Sequence, residues 1–308
     1  MFTTSKLVLA LAALIGSAVS TPIVLQNNGS SLLEERGTPN VLTAPLLGNM
    51  KYMAQVAASA YCNSDPKKVG SIVSCGSNAC PSMAPNGVIN FAYLGFSQAQ
   101  VVGYVGIDPA NKIIVVSYKG TKSLANIIAD LLVPKEKCDE LAIGCKFHQG
   151  FRYAWGDVRM NTERAVQAAR AKYPDYGLII TGHSLGGAVA TIAAAYLRQL
   201  GYPCDVYSFG SPRVGNQVFA DYFNWQAGAH YRVTHTDDPA PRFPGRGLKF
   251  YHTGTEFWLS TGGAKTINYD IPDIKVCPGT QNGDCNASTG NILFSAHSYY
   301  FQHITACG

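Results

Sequence analysis

The 308-residue chain predicts an α/β fold with a mostly parallel central sheet and helices on both faces. Two observations carry this. Short apolar runs such as "KIIVVSYKG" and "GLIITG" alternate with longer helical patterns such as "RMNTERAVQAARAKYPDY" and "GGAVATIAAAYLRQLG". Alternation of this kind builds parallel sheets covered on both sides, whose strands read as unbroken apolar runs. In addition, no repeat or low-complexity stretch divides the chain, so residues 37–308 are expected to form one domain.

The elements follow in order. Lys6 precedes "LVLALAALIGSAVS", too short to span a bilayer but sized for a secretory signal, and Ala18 and Ser20 suit a cleavage site. Residues 1–20 are therefore expected to be a signal peptide and 21–36 a pro-segment, which makes the protein secreted. "MAQVAASAYC" is a small-residue helix pattern. "VVGYVGID" and "KIIVVSYKG" are strands joined by the turn "PAN". The helix "RMNTERAVQAARAKYPDY" gathers Ala165, Val166 and Ala169 on one face and ends before Pro174. The strand "GLIITG" leads into an apolar helix closed by Gly201. "DVYSFGSP" and "HYRVTHTDDP" are further strands with the helical "NQVFADYFNW" between them.

Only 14% of residues are charged, against about 25% in an average domain. The net charge of +5 is unchanged when Lys6, Arg36, Glu34 and Glu35 are removed. No Lys/Arg cluster points to nucleic acid; solubility and mild attraction to anionic surfaces suffice. Nine cysteines in a secreted chain suggest disulfides with one thiol left over. Cys75/Cys80, Cys138/Cys145 and Cys277/Cys285 are close enough in sequence to clip short loops, and Cys62 and Cys307 to tie the two ends together. Cys204 opens an apolar strand and reads as a buried free thiol. No metal-ligand spacing occurs. Asn28 and Asn286 begin glycosylation sequons, the second within the mature chain.

Gly182-His183-Ser184-Leu185-Gly186 fits Gly-x-Ser-x-Gly and sits between a predicted strand and a helix, the context that motif requires. A sharp turn there would push the Ser184 hydroxyl clear of the sheet, with flanking glycines admitting close backbone approach. The helix N-terminus behind it would face any oxyanion forming above the serine. A serine nucleophile needs a base and a carboxylate to orient it, in the chain order Ser, Asp or Glu, His. Asp237 and Asp238 follow the strand "HYRVTHT", and His297 lies downstream with His252 and His303 as rivals.

"TGHSLGGAVAT", "SFGSPRVGN", "RVTHTDDPAPRFP" and "SAHSYYF" resemble the corresponding segments of the fungal class 3 lipases, α/β-hydrolases, in order and at similar spacings from about Met50 to Cys307. The resemblance implies a triad of Ser184, Asp238 and His297. It implies an oxyanion hole from the backbone N–H groups of Leu185 and of Thr121, the latter with its hydroxyl. Two positions depart from the family pattern. Asp237 stands where the family has Asn, an extra carboxylate beside the site, and Lys119 stands for the more usual Arg, losing a bidentate fork. His148 and His183 match family positions and read as structural support. The resemblance also implies the pairs Cys62–Cys307, Cys75–Cys80 and Cys138–Cys145. Cys277–Cys285 resembles a bridge of the related feruloyl esterases, and Cys204 stays unpaired.

Ser123, Leu124, Ile127, Ile128 and Leu131 have cap-plus-helix spacing directly after the Lys119-Gly120-Thr121 turn. By the resemblance they form a lid whose apolar face covers the triad in water and turns outward at a lipid surface. A fixed core helix fits the periodicity equally well; the position after the turn favours the lid. The function implied is a secreted, monomeric serine lipase hydrolysing acylglycerol esters at the lipid–water interface. As a triacylglycerol lipase it would work through an acyl-enzyme, with no cofactor and only peripheral lipid contact. A feruloyl-type esterase and a mono- or diacylglycerol-specific enzyme are the alternatives on the same fold. A non-catalytic lipid-binding protein is a third reading, against which the complete triad argues. Ile89, Leu293 and Phe294 are candidates for lining an acyl groove.

Overall fold

The computed structural model describes residues 24–27, 30–33, 41–96, 101–121, 134–280 and 282–307. In chain order these comprise β1 (Val24–Asn27), β2 (Ser30–Leu33), α1 (Ala44–Asn63), β3 (Ile89–Leu94), β4 (Gly103–Asp108) and β5 (Ile113–Tyr118). Next come β6 (Lys135–Lys137), β7 (Lys146–His148), α2 (Gln149–Lys172), β8 (Gly177–His183) and α3 (Leu185–Gln199). The series closes with β9 (Asp205–Phe209), α4 (Gln217–Trp225), β10 (His230–His235), β11 (Thr255–Leu259) and β12 (Ile274–Cys277). The expected covering helix, Ser123 to Leu131, lies outside the described residues.

Eight strands form one sheet in the order β12-β11-β10-β9-β8-β5-β4-β3. The five strands from β5 through β8, β9 and β10 to β11 run parallel; β4 and β12 run against them, and edge strand β3 pairs antiparallel with β4. From β8 the chain proceeds one way to β9, β10 and β11, while β5, β4 and β3 lie on the other side. Strand order thus follows chain order across the whole sheet, and the carboxyl ends of β5 and β8 lie side by side.

Burial on both faces explains the unbroken apolar runs. In β5, Ile114, Val116 and Tyr118 join a core built with α2 and α3, while Ile113 and Val115 join a core built with α1 on the opposite face. α1 begins at Thr43, whose hydroxyl accepts from Leu46 N at 3.3 Å, and Ser117 Oγ ties the sheet to it through Val56 O at 2.9 Å. α2 starts at Gln149, ten residues before the pattern quoted above, because Phe151, Ala154, Trp155 and Val158 extend its buried face. No described helix is long and apolar enough to cross a membrane.

The register corrects one expectation. Ile89 pairs with Ile107, which pairs with Ile114 near the start of β5. Ile89 therefore stands at the amino end of the parallel strands, the opposite end from Tyr118 and Thr121, and lines no groove there.

Candidate active site

Ser184 sits between β8 and α3 at φ 58° and ψ −126°, a conformation sparsely populated by residues with a side chain. Its N–H donates to Phe209 O at 2.9 Å, and its carbonyl receives Gly187 N at 3.0 Å, which fixes the turn. Glycine is required around it. A Cβ on Gly182 would come 2.3 Å from Gly186 O, and one on Gly186 would come 2.2 Å from Tyr118 O. Gly120 is pressed equally close, since its Cβ would lie 2.6 Å from His183 O and 3.1 Å from Ser184 Cβ. The Lys119-Gly120-Thr121 turn thus runs beside the serine. Among the described residues, Ser184 Oγ and Thr121 Oγ1 are buried without a hydrogen-bond partner.

Asp238 follows β10 and is fully buried. Its Oδ1 accepts Ala240 N at 2.9 Å, and its Oδ2 lies 2.8 Å from His297 Nδ1. A carboxylate held this way keeps the proton on Nδ1 and leaves Nε2 as the basic nitrogen. His297 Nε2 is buried and has no partner among the described residues. The structure thus brings Ser184, Thr121, Leu185, Asp238 and His297 to the carboxyl ends of β5, β8 and β10.

Tyr300, Gly210 and His235 around these went unread in the sequence, whereas His183 was read as structural support. Tyr300 donates its hydroxyl to Asp238 Oδ2; burial first, then the Asp238 charge, pushes that phenol well above its usual range and keeps it a donor. Gly210, at φ +58°, lies under both groups, where a Cβ would meet Tyr300 Oη at 2.9 Å and Asp238 Oδ2 and His297 Cε1 at 3.0 Å. His183 spans from Tyr61 Oη to His297 O, 2.7 Å each. A carbonyl can only accept, so Nε2 carries the proton and Nδ1 accepts from Tyr61. Burial holds His183 well below the usual histidine range, so it stays neutral. His235 likewise reaches Ala296 O at 2.9 Å and Tyr269 Oη at 2.8 Å. "SYY" after His297 was the one available signal for Tyr300.

The rivals are elsewhere. His252 Nε2 donates to Pro241 O at 2.8 Å, and His303 stacks on Tyr299 at 4.8 Å. His148 is buried against Phe151, 4.2 Å between rings.

Asn286 of the sequon, whose occupancy the sequence leaves open, is buried in the fold. It is 1% exposed, and its Nδ2 donates to Thr236 O at 2.9 Å and Asp238 O at 3.0 Å, so the folded chain has no room for a sugar there. Cysteines 62 and 307, 75 and 80, 138 and 145, and 277 and 285 are bonded in pairs, and Cys204 is a buried thiol. Sulfurs of Cys62, Cys75 and Cys307 lie within 4.8 Å of one another, but all three are in disulfides and offer no thiolate to a metal.

The family described as Lipase (class 3) matches residues 115–248. A "secreted mono- and diacylglycerol lipase 1" of Fusarium solani is 40% identical over 301 residues, covering 98% of this chain and 89% of that one. The chain belongs to the class 3 lipases. A "secreted mono- and diacylglycerol lipase A" of Penicillium cyclopium is 34% identical, over 84% of this chain and 86% of that one. The crystal structure of the Aspergillus oryzae mono- and diacylglycerol lipase superposes at TM-score 0.79 with 30% identity, over 87% of this chain and all of that one. The protein is therefore a secreted lipase with the α/β-hydrolase type of fold. Both departures of this class 3 lipase have local partners. Lys119 Nζ lies 5.8 Å from the Tyr61 ring centroid, and Asp237 Oδ1 lies 3.8 Å from Arg242 Nη2.

Proposed function

We propose that this lipase cleaves acylglycerol esters by a serine mechanism in which Ser184 is the nucleophile, His297 the general base and Asp238 its orienting carboxylate. The observation that carries this reading is the Asp238–His297 contact at 2.8 Å, with His297 Nε2 and Ser184 Oγ both left unpartnered among the described residues. His297 Nε2 takes the Ser184 proton as Oγ attacks the ester carbonyl. The Asp238 anion stabilises the imidazolium that results. The same proton then passes to the leaving glycerol oxygen, and water repeats the sequence to release the fatty acid. Backbone N–H groups of Leu185 and Thr121 receive the oxyanion, helped by the positive end of α3; losing one such donor costs about 2.7–4 kcal/mol of transition-state stabilisation.

Within this reading the substrates are partial acylglycerols, the class for which the Fusarium and Penicillium relatives are named. Initial rates on emulsified monoolein, diolein and triolein test it: mono- and diolein are cleaved and triolein resists. Triolein turnover equal to that of diolein returns the chain to triacylglycerols. Leu124, Ile127, Ile128 and Leu131 act as the lid, so the rate against tributyrin concentration climbs abruptly at the solubility limit. A smooth saturation curve below that limit, with methyl ferulate cleaved, would favour the esterase alternative. Leu293 and Phe294, 39% and 52% exposed beside His297, are the acyl-contacting candidates that remain.

A further inference from the structure

The Asp238 carboxylate stands on a strained turn. Thr236, a β-branched residue, has φ 33°, a conformation such residues avoid unless their surroundings impose it. Two side chains converge on its carbonyl: Trp258 Nε1 at 3.0 Å and Asn286 Nδ2 at 2.9 Å. The same Nδ2 reaches Asp238 O at 3.0 Å. Both amide hydrogens of Asn286 are thus spent on the backbone that presents the carboxylate.

Asn286 is itself held firmly. It follows Cys285, which is bonded to Cys277 at the end of edge strand β12. Its N–H donates to Glu256 Oε1 at 3.1 Å, and its Oδ1 accepts Arg242 Nε at 3.4 Å, which fixes the orientation of the amide. Arg242 also donates to Thr289 O at 3.2 Å and Asn291 O at 2.5 Å, and Leu293 N donates to Asp237 O at 3.1 Å. His297 lies four residues beyond Leu293. One laced unit therefore joins the segment carrying the acid to the segment carrying the base.

We propose that Asn286 is a positioning residue for the reaction: its amide holds the strained Thr236–Asp238 turn so that the carboxylate meets His297 Nδ1. The inference rests on the Ser184–Asp238–His297 reading above. It also gives the "NAS" triplet a role other than glycosylation.

The test is Asn286→Ala in the full mature chain. Active sites are counted with a p-nitrophenyl phosphonate, and turnover is measured on dissolved p-nitrophenyl butyrate. Misplacing a catalytic group by about 1 Å costs on the order of 100-fold. Turnover per titrated site is accordingly expected to fall roughly 10- to 100-fold with KM within about twofold. A purely structural asparagine would lower the number of titratable sites and leave turnover per site at the wild-type value, which would overturn the proposal. Trp258→Phe removes the other donor to Thr236 O and is expected to reduce per-site turnover several-fold. It carries the test if Asn286→Ala does not fold, and unchanged per-site turnover in it then rejects the idea. Ser288→Ala destroys the sequon and keeps the amide. A mass lower by the serine oxygen alone and wild-type turnover are expected, whereas loss of a glycan mass together with activity would assign the effect to sugar. Ester hydrolysis surviving in Ser184→Ala sinks the triad itself. An inactive Ser184→Ala beside an unaffected Asn286→Ala sinks only this inference.

Discussion

Beside the acid and the base of the triad, one constraint falls on a residue with no side chain. Gly210 combines a positive φ with contacts of 2.9–3.0 Å to Tyr300, Asp238 and His297 at the place a Cβ would occupy. Gly210→Ala should therefore displace the Asp238–His297 pair while leaving the sheet intact. Expected are a loss in kcat of about 10-fold or more and a small change in melting temperature, measured side by side on dissolved ester. Tyr300→Phe removes the hydroxyl donated to a buried carboxylate. A hydrogen bond to a charged group contributes about 1.5–3 kcal/mol, so urea unfolding should register a loss of that size. An unchanged unfolding midpoint would mean that the hydroxyl does not stabilise the Asp238 anion.

At the scale of elements, the serine turn depends on how closely α3 approaches β5 and β8. Gly186→Ala would put a methyl 2.2 Å from the Tyr118 carbonyl, where no flexible side chain can yield. Overpacking against movable side chains already costs about 1–3 kcal/mol, and rigid backbone should raise that figure. Poor secretion or a markedly lowered melting temperature is expected; wild-type stability would show that the helix can shift outward.

These elements also mark what the sequence disclosed. β5 and β8 were legible because burial on both faces leaves unbroken apolar runs, and the Ser184 turn was legible because glycine is the only residue that fits beside it. The start of α2 was hidden, since His148 makes no side-chain cap bond. β11 and β12, five and four residues long, carried too little pattern to stand out. The burial of Asn286 and the true place of Ile89 were hidden for one reason: a sequon and an isolated apolar residue are local signals. Burial and strand register are set by segments far away in the chain.

Over the whole molecule, buried titratable groups define the pH range of stability. Burial holds His183, His230 and His252 well below the ordinary value of 6.5, so each stays neutral when folded and binds a proton when unfolded. As pH falls below about 6.5 the unfolded state gains those protons and stability drops, by up to about 1.4 kcal/mol per pH unit for each group. Burial also raises Tyr52, Tyr61, Tyr104, Tyr118 and Tyr300 above the ordinary 10.0. Above about pH 10 the unfolded state loses protons that the folded state keeps, and stability drops again. Urea unfolding from pH 4 to 11 should therefore trace a plateau between roughly 6.5 and 10 with a decline on each side. A curve flat to pH 4 would mean that the three histidines protonate within the native fold.

The central claim is that Ser184, activated by His297 and Asp238, is the atom that attacks the ester. Its most direct measurement is reaction of the mature protein with diethyl p-nitrophenyl phosphate, followed by mass analysis of the intact chain and of its peptides. One diethylphosphoryl group per chain is predicted, on the peptide bearing Gly182-His183-Ser184-Leu185-Gly186, with activity lost in proportion, and no labelling of Ser184→Ala. A label on another residue, or full inhibition of a variant lacking the Ser184 hydroxyl, would contradict the account.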